Sequence, residues 1–162
     1  MKIALGVDHR GIDTASSLLP YLRAKGHDVV LVGACEGNSC DYPDNAFKVG
    51  RAVASGDYDR GILVCGSGIG MSIAANKVPG VRAALVQDEL TAELSRSHND
   101  ANVLCLSGDL IGQTLAKRIV DTWLATTFEG GRHARRVQKI RAIEQGDDPA
   151  AVRNDTSSGV RG

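Results

Sequence analysis

The 162-residue sequence has few aromatic side chains, no net charge and no long apolar run. Aromatic residues make up only 4% of the chain, too few for the stacking platforms that bind single-stranded nucleic acid. Nineteen basic residues balance nineteen acidic ones, so no global field attracts a polyanion or an anionic membrane surface. Neither nucleic acid nor a membrane is therefore expected as a partner.

No segment supplies the roughly 18 consecutive apolar residues that a membrane span requires. The first apolar run ends at Asp8 and His9, which makes it too short for a signal peptide. These two features predict a soluble, cytoplasmic protein.

Cysteine is sparse as well, and the four cysteines contain no C-x-x-C pair. Cys35 and Cys40 could form a disulfide, or could bind a metal with ligands from elsewhere. Because a second ligand pair is missing and a reducing compartment is expected, free thiols are favoured for all four. The four are Cys35, Cys40, Cys65 and Cys105.

What the chain does contain is 43% hydrophobic and 23% charged residues, typical of one globular domain at this length. Five short apolar runs alternate with stretches of helical period, as in a parallel sheet with crossover helices. The runs cover residues 2–7, 28–32, 61–65, 82–86 and 102–106. We predict an α/β fold: a single doubly wound, Rossmann-like domain whose five-stranded parallel sheet is flanked by about six helices.

The predicted domain covers residues 1–145. From Gly146 onward the sequence is polar, rich in turn formers and without an apolar period. Residues 146–162 are therefore expected to form a polar C-terminal tail.

The segment C-G-S-G-I-G, from Cys65 to Gly70, follows the third predicted strand, at the end where open α/β sheets bind ligands. Glycines at alternate positions let the backbone approach a ligand and direct several amides into one concavity. A helix predicted to begin near Met71 adds its positive end. The spacing fits neither the dinucleotide fingerprint nor a P-loop. Two interpretations stay open: an anion or oxyanion site, and a tight strand-to-helix turn.

Cys65 stands at the start of this loop. Neighbouring amides favour its thiolate, which can abstract a proton while the same amides hold the resulting oxyanion. The alternative is a small buried hydrophobic side chain, the commoner role of cysteine and the one expected for Cys105.

Two histidines lie near other predicted strand ends. His98 belongs to the polar triplet His98-Asn99-Asp100 before the fifth strand and can serve as a general acid or base. It can equally be a surface or capping residue, and His9 beside Asp8 has the same ambiguity.

Two arginines follow the glycine pair at 130–131. Arg132 and Arg136 are four residues apart and so share one face of a predicted helix, a spacing that suits a phosphate group. A solvated basic surface is the alternative interpretation.

The order of these motifs along the chain resembles the type B ribose-5-phosphate isomerase family, which also contains the galactose-6-phosphate isomerase subunits. The resemblance runs from Met1 to about Gln145. Its motifs are Asp8-His9, Asp41-Tyr42-Pro43, Cys65-Gly66-Ser67-Gly68-Ile69-Gly70, Ala74-Ala75-Asn76-Lys77, His98-Asn99-Asp100 and Gly130-Gly131-Arg132-His133. It implies interconversion of aldose and ketose phosphates without a metal or organic cofactor, in a homodimer or dimer of dimers with a shared active site.

The resemblance implies a role for each candidate at the glycine loop. Cys65 would be the base that moves a proton between C1 and C2 through a cis-enediolate. Ser67 would be positioned to transfer the hydroxyl protons of the sugar. The enediolate would be stabilised by the amides around Gly66, Ser67, Gly68, Ile69 and Gly70.

The remaining implied roles concern the sugar ring and the phosphate. His98 would open the furanose ring and Asn99 would hold sugar hydroxyls. The sugar site would be lined by Asp8 and Tyr42. The phosphate would be bound by His9, Arg132 and Arg136, with the arginines coming from a neighbouring subunit.

Four positions can be compared with the pattern of the family that this chain resembles. Some relatives have a glutamate base where Met71 stands, so this chain matches the cysteine-base type. A phosphate-binding arginine common after the fifth strand is replaced by Asp109. The first helix has Arg10 and Ala15 where an apolar residue and a lysine are usual. Two hypotheses follow: Arg10 partly replaces the missing cation, or a sugar of another length shifts the phosphate.

The leading prediction is therefore isomerisation of ribose 5-phosphate to ribulose 5-phosphate. The same chemistry on a four-carbon erythrulose or erythrose phosphate, or on a six-carbon phosphate, is the close alternative because of Asp109. A non-catalytic sugar-phosphate-binding module and a thiol redox protein using Cys35 and Cys40 are more distant alternatives.

Overall fold

A computed structural model describes residues 1–35 and 39–153 of the chain and contains one sheet of five parallel strands. The strands are β1 (Lys2–Val7), β2 (Asp28–Gly33), β3 (Arg60–Cys65), β4 (Ala83–Leu85) and β5 (Val103–Ser107). Their order across the sheet is β2-β1-β3-β5-β4. The predicted doubly wound α/β fold is confirmed.

Within the described residues, six α-helices connect and flank the strands. They are α1 (Ile12–Ala24), α2 (Tyr42–Ala54), α3 (Ile69–Ala75), α4 (Glu89–Ser97), α5 (Gln113–Ala125) and α6 (Arg132–Gln145). Local sequence explains several ends: the Asp88 side chain caps α4 by accepting from the Thr91 amide, and Gly146 ends α6 at φ 83°. Helix α3 begins at Ile69, slightly earlier than predicted.

The alternation of strand side chains builds one core on each face of the sheet. On β1, Ile3 and Leu5 pack with α1 and α5, whereas Ala4 packs with α2 and α3. On β3 the same period turns Val64 toward the first core and Cys65 toward the second. The central strands β1, β3 and β5 are buried on both faces, which explains why their sequences are almost entirely apolar, whereas the edge strands β2 and β4 are partly exposed.

The strand order creates a crevice between the connections that follow β1 and β3. From β1 the chain continues to the edge strand β2, whereas from β3 it continues toward β5 and β4 on the other side. Ligands of doubly wound sheets bind beyond the carboxyl ends of the strands at such a switch point. The loops after β1 and β3 therefore flank the expected ligand crevice.

The expectation of four free thiols is wrong for one pair. Cys35 and Cys40 form a disulfide, and their Cα atoms lie 5.2 Å apart, within the range that a disulfide can span. Cys65 and Cys105 are free, as predicted, and both are buried. Burial raises the pKa of the Cys105 thiol, which fits its expected role as a small hydrophobic side chain.

The end of the described chain folds back on α6. Residues 149–151 form a short 3-10 turn, and Lys139 donates from Nζ to the Pro149 carbonyl oxygen at 2.7 Å. Residues 154–162 lie outside the described ranges, so the proposed boundary at residue 146 stays a prediction. Within those ranges, every helix is too short or too polar to cross a bilayer. A cytoplasmic location also stays a prediction.

Candidate active site

The loop after β3 wraps around the Cys65 thiol. The Gly68 amide donates to Sγ of Cys65 at 3.2 Å, and the Ile69 amide donates to Oγ of Ser67 at 3.2 Å. The amides of Gly66 and Ser67 donate to no acceptor in the described chain. This arrangement places a thiol next to amide donors that are free for a ligand oxygen.

Gly68 makes this loop conformation accessible. Its φ of 78° lies in the left-handed region, where side chains are strained. A Cβ built on Gly68 would lie 2.5 Å from Cδ1 of Leu85 and 3.0 Å from the Leu106 carbonyl oxygen. The loop can therefore press against β4 and β5 only with glycine at this position.

The loops after β1 and β5 meet this glycine loop. Asp8 is buried, and its Oδ1 accepts from the amides of Arg10 and Gly11 at 2.9 and 3.0 Å. After β5, the Gly108 amide donates to the Cys65 carbonyl oxygen at 2.8 Å. The three neighbouring strands thus place Asp8 and Cys65 in one crevice, while His9 is exposed beside it.

Tyr42 covers the far end of the glycine loop. It is the first residue of α2, and a Cβ built on Gly70 would lie 2.5 Å from its ring. Buried Asn45 fixes this helix start by donating from Nδ2 to the Val7 carbonyl oxygen at 2.7 Å. Sequence reasoning missed Asn45, since nothing local marks an asparagine that bonds a distant strand.

One group of predicted residues therefore lies together at the carboxyl edge of the sheet. We call this group the carboxyl-edge half-site. Its members are Asp8, His9, Tyr42, Cys65, Gly66, Ser67, Gly68, Ile69 and Gly70.

The other predicted residues lie at the opposite edge. His98 caps the end of α4, and the chain then enters β5 at Val103, which is in register with Gly61 at the start of β3. Cys65 ends β3, and five residue steps from Arg60 to Cys65 span about 16 Å. A single chain therefore does not bring His98 to Cys65.

We call this second group the amino-edge half-site, formed by His98, Asn99, Arg132 and Arg136. The ring of His98 stacks on that of His133, with centroids 4.1 Å apart and planes within 4°. Arg132 donates from Nε to Nε2 of His133 at 3.2 Å. Both Arg132 and Arg136 are exposed on α6 and available to a ligand.

His133 is a residue that the sequence did not single out by itself. Burial, followed by the positive potential of His98 and Arg132, lowers its pKa below the ordinary 6.5. Its Nε2 accepts a hydrogen bond, so the ring is neutral and presents an apolar face to His98. Only tertiary packing brings the end of α4 to the start of α6.

The turn that carries Asn99 is held by its neighbour. Asp100 has a φ of 47°, unusual for a residue with a side chain. Its carboxylate accepts from Nη2 of Arg82 and Nη1 of Arg96, both at 2.8 Å. These two ion pairs stabilise the strained turn and so fix the direction of the preceding residues.

Three donors in this region invite comparison with a metal site. The ligand atoms of His98, Glu129 and His133 lie within 4.8 Å of one another. However, an imidazole binds metal in its ring plane, and two stacked parallel rings cannot aim at one ion about 2 Å from each nitrogen. Arg132 also occupies Nε2 of His133. The arrangement suits proton transfer and anion binding rather than a metal.

Comparisons with known proteins agree with this chemistry. A family model described as Ribose/Galactose Isomerase matches residues 3–140. Ribose-5-phosphate isomerase B of Escherichia coli is 47% identical over 144 residues, 89% of this chain and 97% of that protein. D-erythrulose-4-phosphate isomerase of Pectobacterium atrosepticum is 43% identical over 145 residues, with coverages of 89% and 95%.

Solved structures lead to the same family. Ribose-5-Phosphate Isomerase B of Clostridium thermocellum matches with a TM-score of 0.88 and 51% identity, over 90% of this chain and 99% of that one. Ribose-5-phosphate Isomerase B of Mycoplasma genitalium, solved with bound ribulose-5-phosphate, matches with a TM-score of 0.81 and 43% identity, over 89% and 96%. Fold and relatives together define an isomerase. The chain belongs to the ribose/galactose isomerase family.

Proposed function

We propose that the protein interconverts ribose 5-phosphate and ribulose 5-phosphate through a cis-enediolate, with Cys65 as the base. The observation that carries this proposal is the position of Sγ of Cys65, which lies in a loop whose Gly68 amide donates to it. The relatives named for the same reaction share most of the chain, which supports ribose 5-phosphate as the leading substrate.

The proposed proton transfer conserves all atoms of the sugar. The Cys65 thiolate takes the proton from C2 of the open-chain aldose, and the C–H electron pair becomes the C1–C2 double bond of the enediolate. Free amides at Gly66 and Ser67 stabilise the developing oxyanion. The thiol then returns the proton to C1. Ser67 assists the transfer of the hydroxyl proton from O2 to O1.

The proposed site needs a second copy of the chain. Because about 16 Å of strand separates the two edges, His98 and Asn99 of one copy would complete the carboxyl-edge half-site of another. Exposed isoleucines on α3 and α6 support such an association, since they would be buried by it. They are Ile69, Ile73, Ile140 and Ile143.

In this shared site, each remaining residue keeps the role that the family resemblance implies. His98 opens the furanose ring and Asn99 holds sugar hydroxyls. Asp8 and Tyr42 line the sugar. The phosphate is bound by His9 of one copy together with Arg132 and Arg136 of the other.

A four-carbon substrate is the second candidate. One relative is named D-erythrulose-4-phosphate isomerase, at 43% identity. Asp109 places a carboxylate beside the glycine loop and so alters the charge near the bound phosphate. This difference supports a four-carbon sugar phosphate as the second candidate substrate. The same change of charge at Asp109 also supports a six-carbon sugar phosphate as a candidate substrate.

A coupled assay with four-, five- and six-carbon aldose and ketose phosphates tests the function and ranks these substrates by kcat/KM. We expect Cys65→Ala to lower kcat by about a hundredfold or more, because the base is removed. Cys105→Ala is the matched control, since this second buried thiol lies outside the site, and its kcat should stay within about threefold of the wild type. Retained turnover in Cys65→Ala would contradict the mechanism. Binding without turnover in the wild type would instead favour a sugar-phosphate-binding module.

A further inference from the structure

An ion pair lies directly on the glycine loop of the carboxyl-edge half-site. Arg10 donates from Nε to Oδ2 of Asp109 at 2.7 Å. The Asp109 amide donates to the Gly66 carbonyl oxygen at 3.1 Å, which anchors the pair to the loop. A Cβ built on Gly66 would lie 2.8 Å from Oδ2 of Asp109 and 3.0 Å from Cδ of Arg10. The residue after Cys65 is therefore in contact with both partners.

Only one edge of the guanidinium is used in this pair. Nη1 and Nη2 of Arg10 donate to no residue within the ranges 1–35 and 39–153, and 58% of the side chain is exposed. At the backbone, the Arg10 amide donates to Oδ1 of Asp8 at 2.9 Å, so the stem begins from a fixed point. Arg10 is thus held at both ends of its side chain and offers two parallel N–H groups to a ligand.

We propose that Arg10 is a phosphate-binding residue of this site and that Asp109 is the positioning residue that orients it. Asp109 holds Nε, and the free Nη groups bind two phosphate oxygens as a fork. This inference rests on the proposed function, because it assigns the cation of the carboxyl-edge half-site that binds the sugar's phosphate.

Charge explains why both partners are needed. The carboxylate of Asp109 by itself would repel a phosphate, but its pairing with Arg10 neutralises it. The pair therefore attracts phosphate through hydrogen-bond geometry more than through net charge. A lysine at position 10 would keep the charge but lose both the Nε anchor and the fork.

The decisive measurement is the Kd of inorganic phosphate, determined by calorimetry on the intact protein. Arg10→Gln and Arg10→Lys should each weaken phosphate binding about tenfold. Lys25→Gln is the charge-matched control, because Lys25 pairs with Asp121 near the amino edge of the sheet, and its Kd should not change. Phosphate binding by Arg10→Lys or Arg10→Gln at wild-type strength would overturn the proposal.

Asp109 is tested by removal and conservative rescue. Asp109→Ala should weaken phosphate binding and raise KM for ribose 5-phosphate several-fold while kcat stays within about twofold, because the fork loses its anchor. Asp109→Asn, whose amide oxygen still accepts from Nε, should return Kd to the wild-type value or below. Tighter binding in Asp109→Ala would mean that the carboxylate only repels, and would overturn the positioning role. The Kd of phosphate is measured without turnover. A wild-type protein without isomerase activity would therefore contradict the proposed function but not the phosphate-binding role of Arg10.

Discussion

The stacked imidazoles of His98 and His133 bring two titratable rings together in the amino-edge half-site. The neutral ring of His133 lies over His98, and Arg132 bonds its Nε2. Glu129 lies on the other side, with Oε2 4.0 Å from Nε2 of His98 and 3.6 Å from Nε2 of His133. Within this group, burial lowers the pKa of His133 below the ordinary 6.5, so its ring stays neutral.

A pH-dependent stability follows from His133. Its pKa in the folded protein is lowered from 6.5, so as pH falls the unfolded chain binds this proton first. The stabilisation is complete above about pH 6.5 and is lost as pH falls toward the folded pKa.

We therefore expect the free energy of unfolding to fall less between about pH 7.5 and 5.5 in His133→Gln than in the wild type. Urea denaturation at both pH values measures the difference. Some pH dependence should remain in the variant, because burial also lowers the pKa of His27. Equal losses in the two proteins would contradict the prediction.

At the scale of elements, the connection from β3 to α3 makes a conformational demand that only glycine meets at position 68. It contains the proposed base Cys65, the free amides and the left-handed Gly68 within a few residues. The turn after β5 supports it, as Ser107 donates from Oγ to the Gly66 carbonyl oxygen. The element is therefore stabilised by its neighbours and not by its own helix, which has only 7 residues.

Gly68→Ala tests this demand. We expect the substitution to lower the free energy of unfolding by about 1–3 kcal/mol, because alanine at φ 78° is strained and its Cβ meets Leu85 and Leu106. Chemical denaturation provides the measurement. Gly112→Ala is the matched control, with φ −75° and open space around its Cβ, and should change stability by at most about 0.5 kcal/mol. Equal effects at the two positions would be inconsistent with this account.

For the whole molecule, the parallel sheet itself separates the two half-sites. Every strand runs in the same direction, so residues that follow strands and residues that precede them lie at opposite edges. Cys65 belongs to the first kind and His98 to the second. A closed two-fold dimer can bring opposite edges of two copies together twice, which yields two equivalent sites.

Subunit mixing tests this arrangement. Co-expression of Cys65→Ala with His98→Ala should restore about a quarter of wild-type activity, since half of the dimers are mixed and each has one intact site of two. Co-expression of Cys65→Ala with Asp8→Asn is the control: both changes affect the carboxyl-edge half-site, so each mixed dimer has two damaged sites. The coupled isomerase assay measures both. Equal activity in the two mixtures would contradict a shared site.

The sheet and the glycine loop could be predicted because their signals are local. Strand positions follow from buried apolar runs, and the alternating glycines of the C-G-S-G-I-G segment predict a tight turn whose amides can face a ligand. The start of α3 was predicted slightly too late, and the prediction of free thiols at Cys35 and Cys40 was wrong. A disulfide depends on the distance between two Cα atoms, which a spacing of five residues does not determine.

By itself, the sequence determined the α/β class, the order of its elements and the residue types of the candidate site. Tertiary structure alone decided which of those residues meet. Two contacts join segments that are far apart in sequence: the stack of His98 on His133 and the ion pair of Arg10 with Asp109. The sheet register likewise separates Cys65 from His98. The physical reason is that periodicity and turn chemistry act over a few residues, whereas these contacts depend on strand order and register.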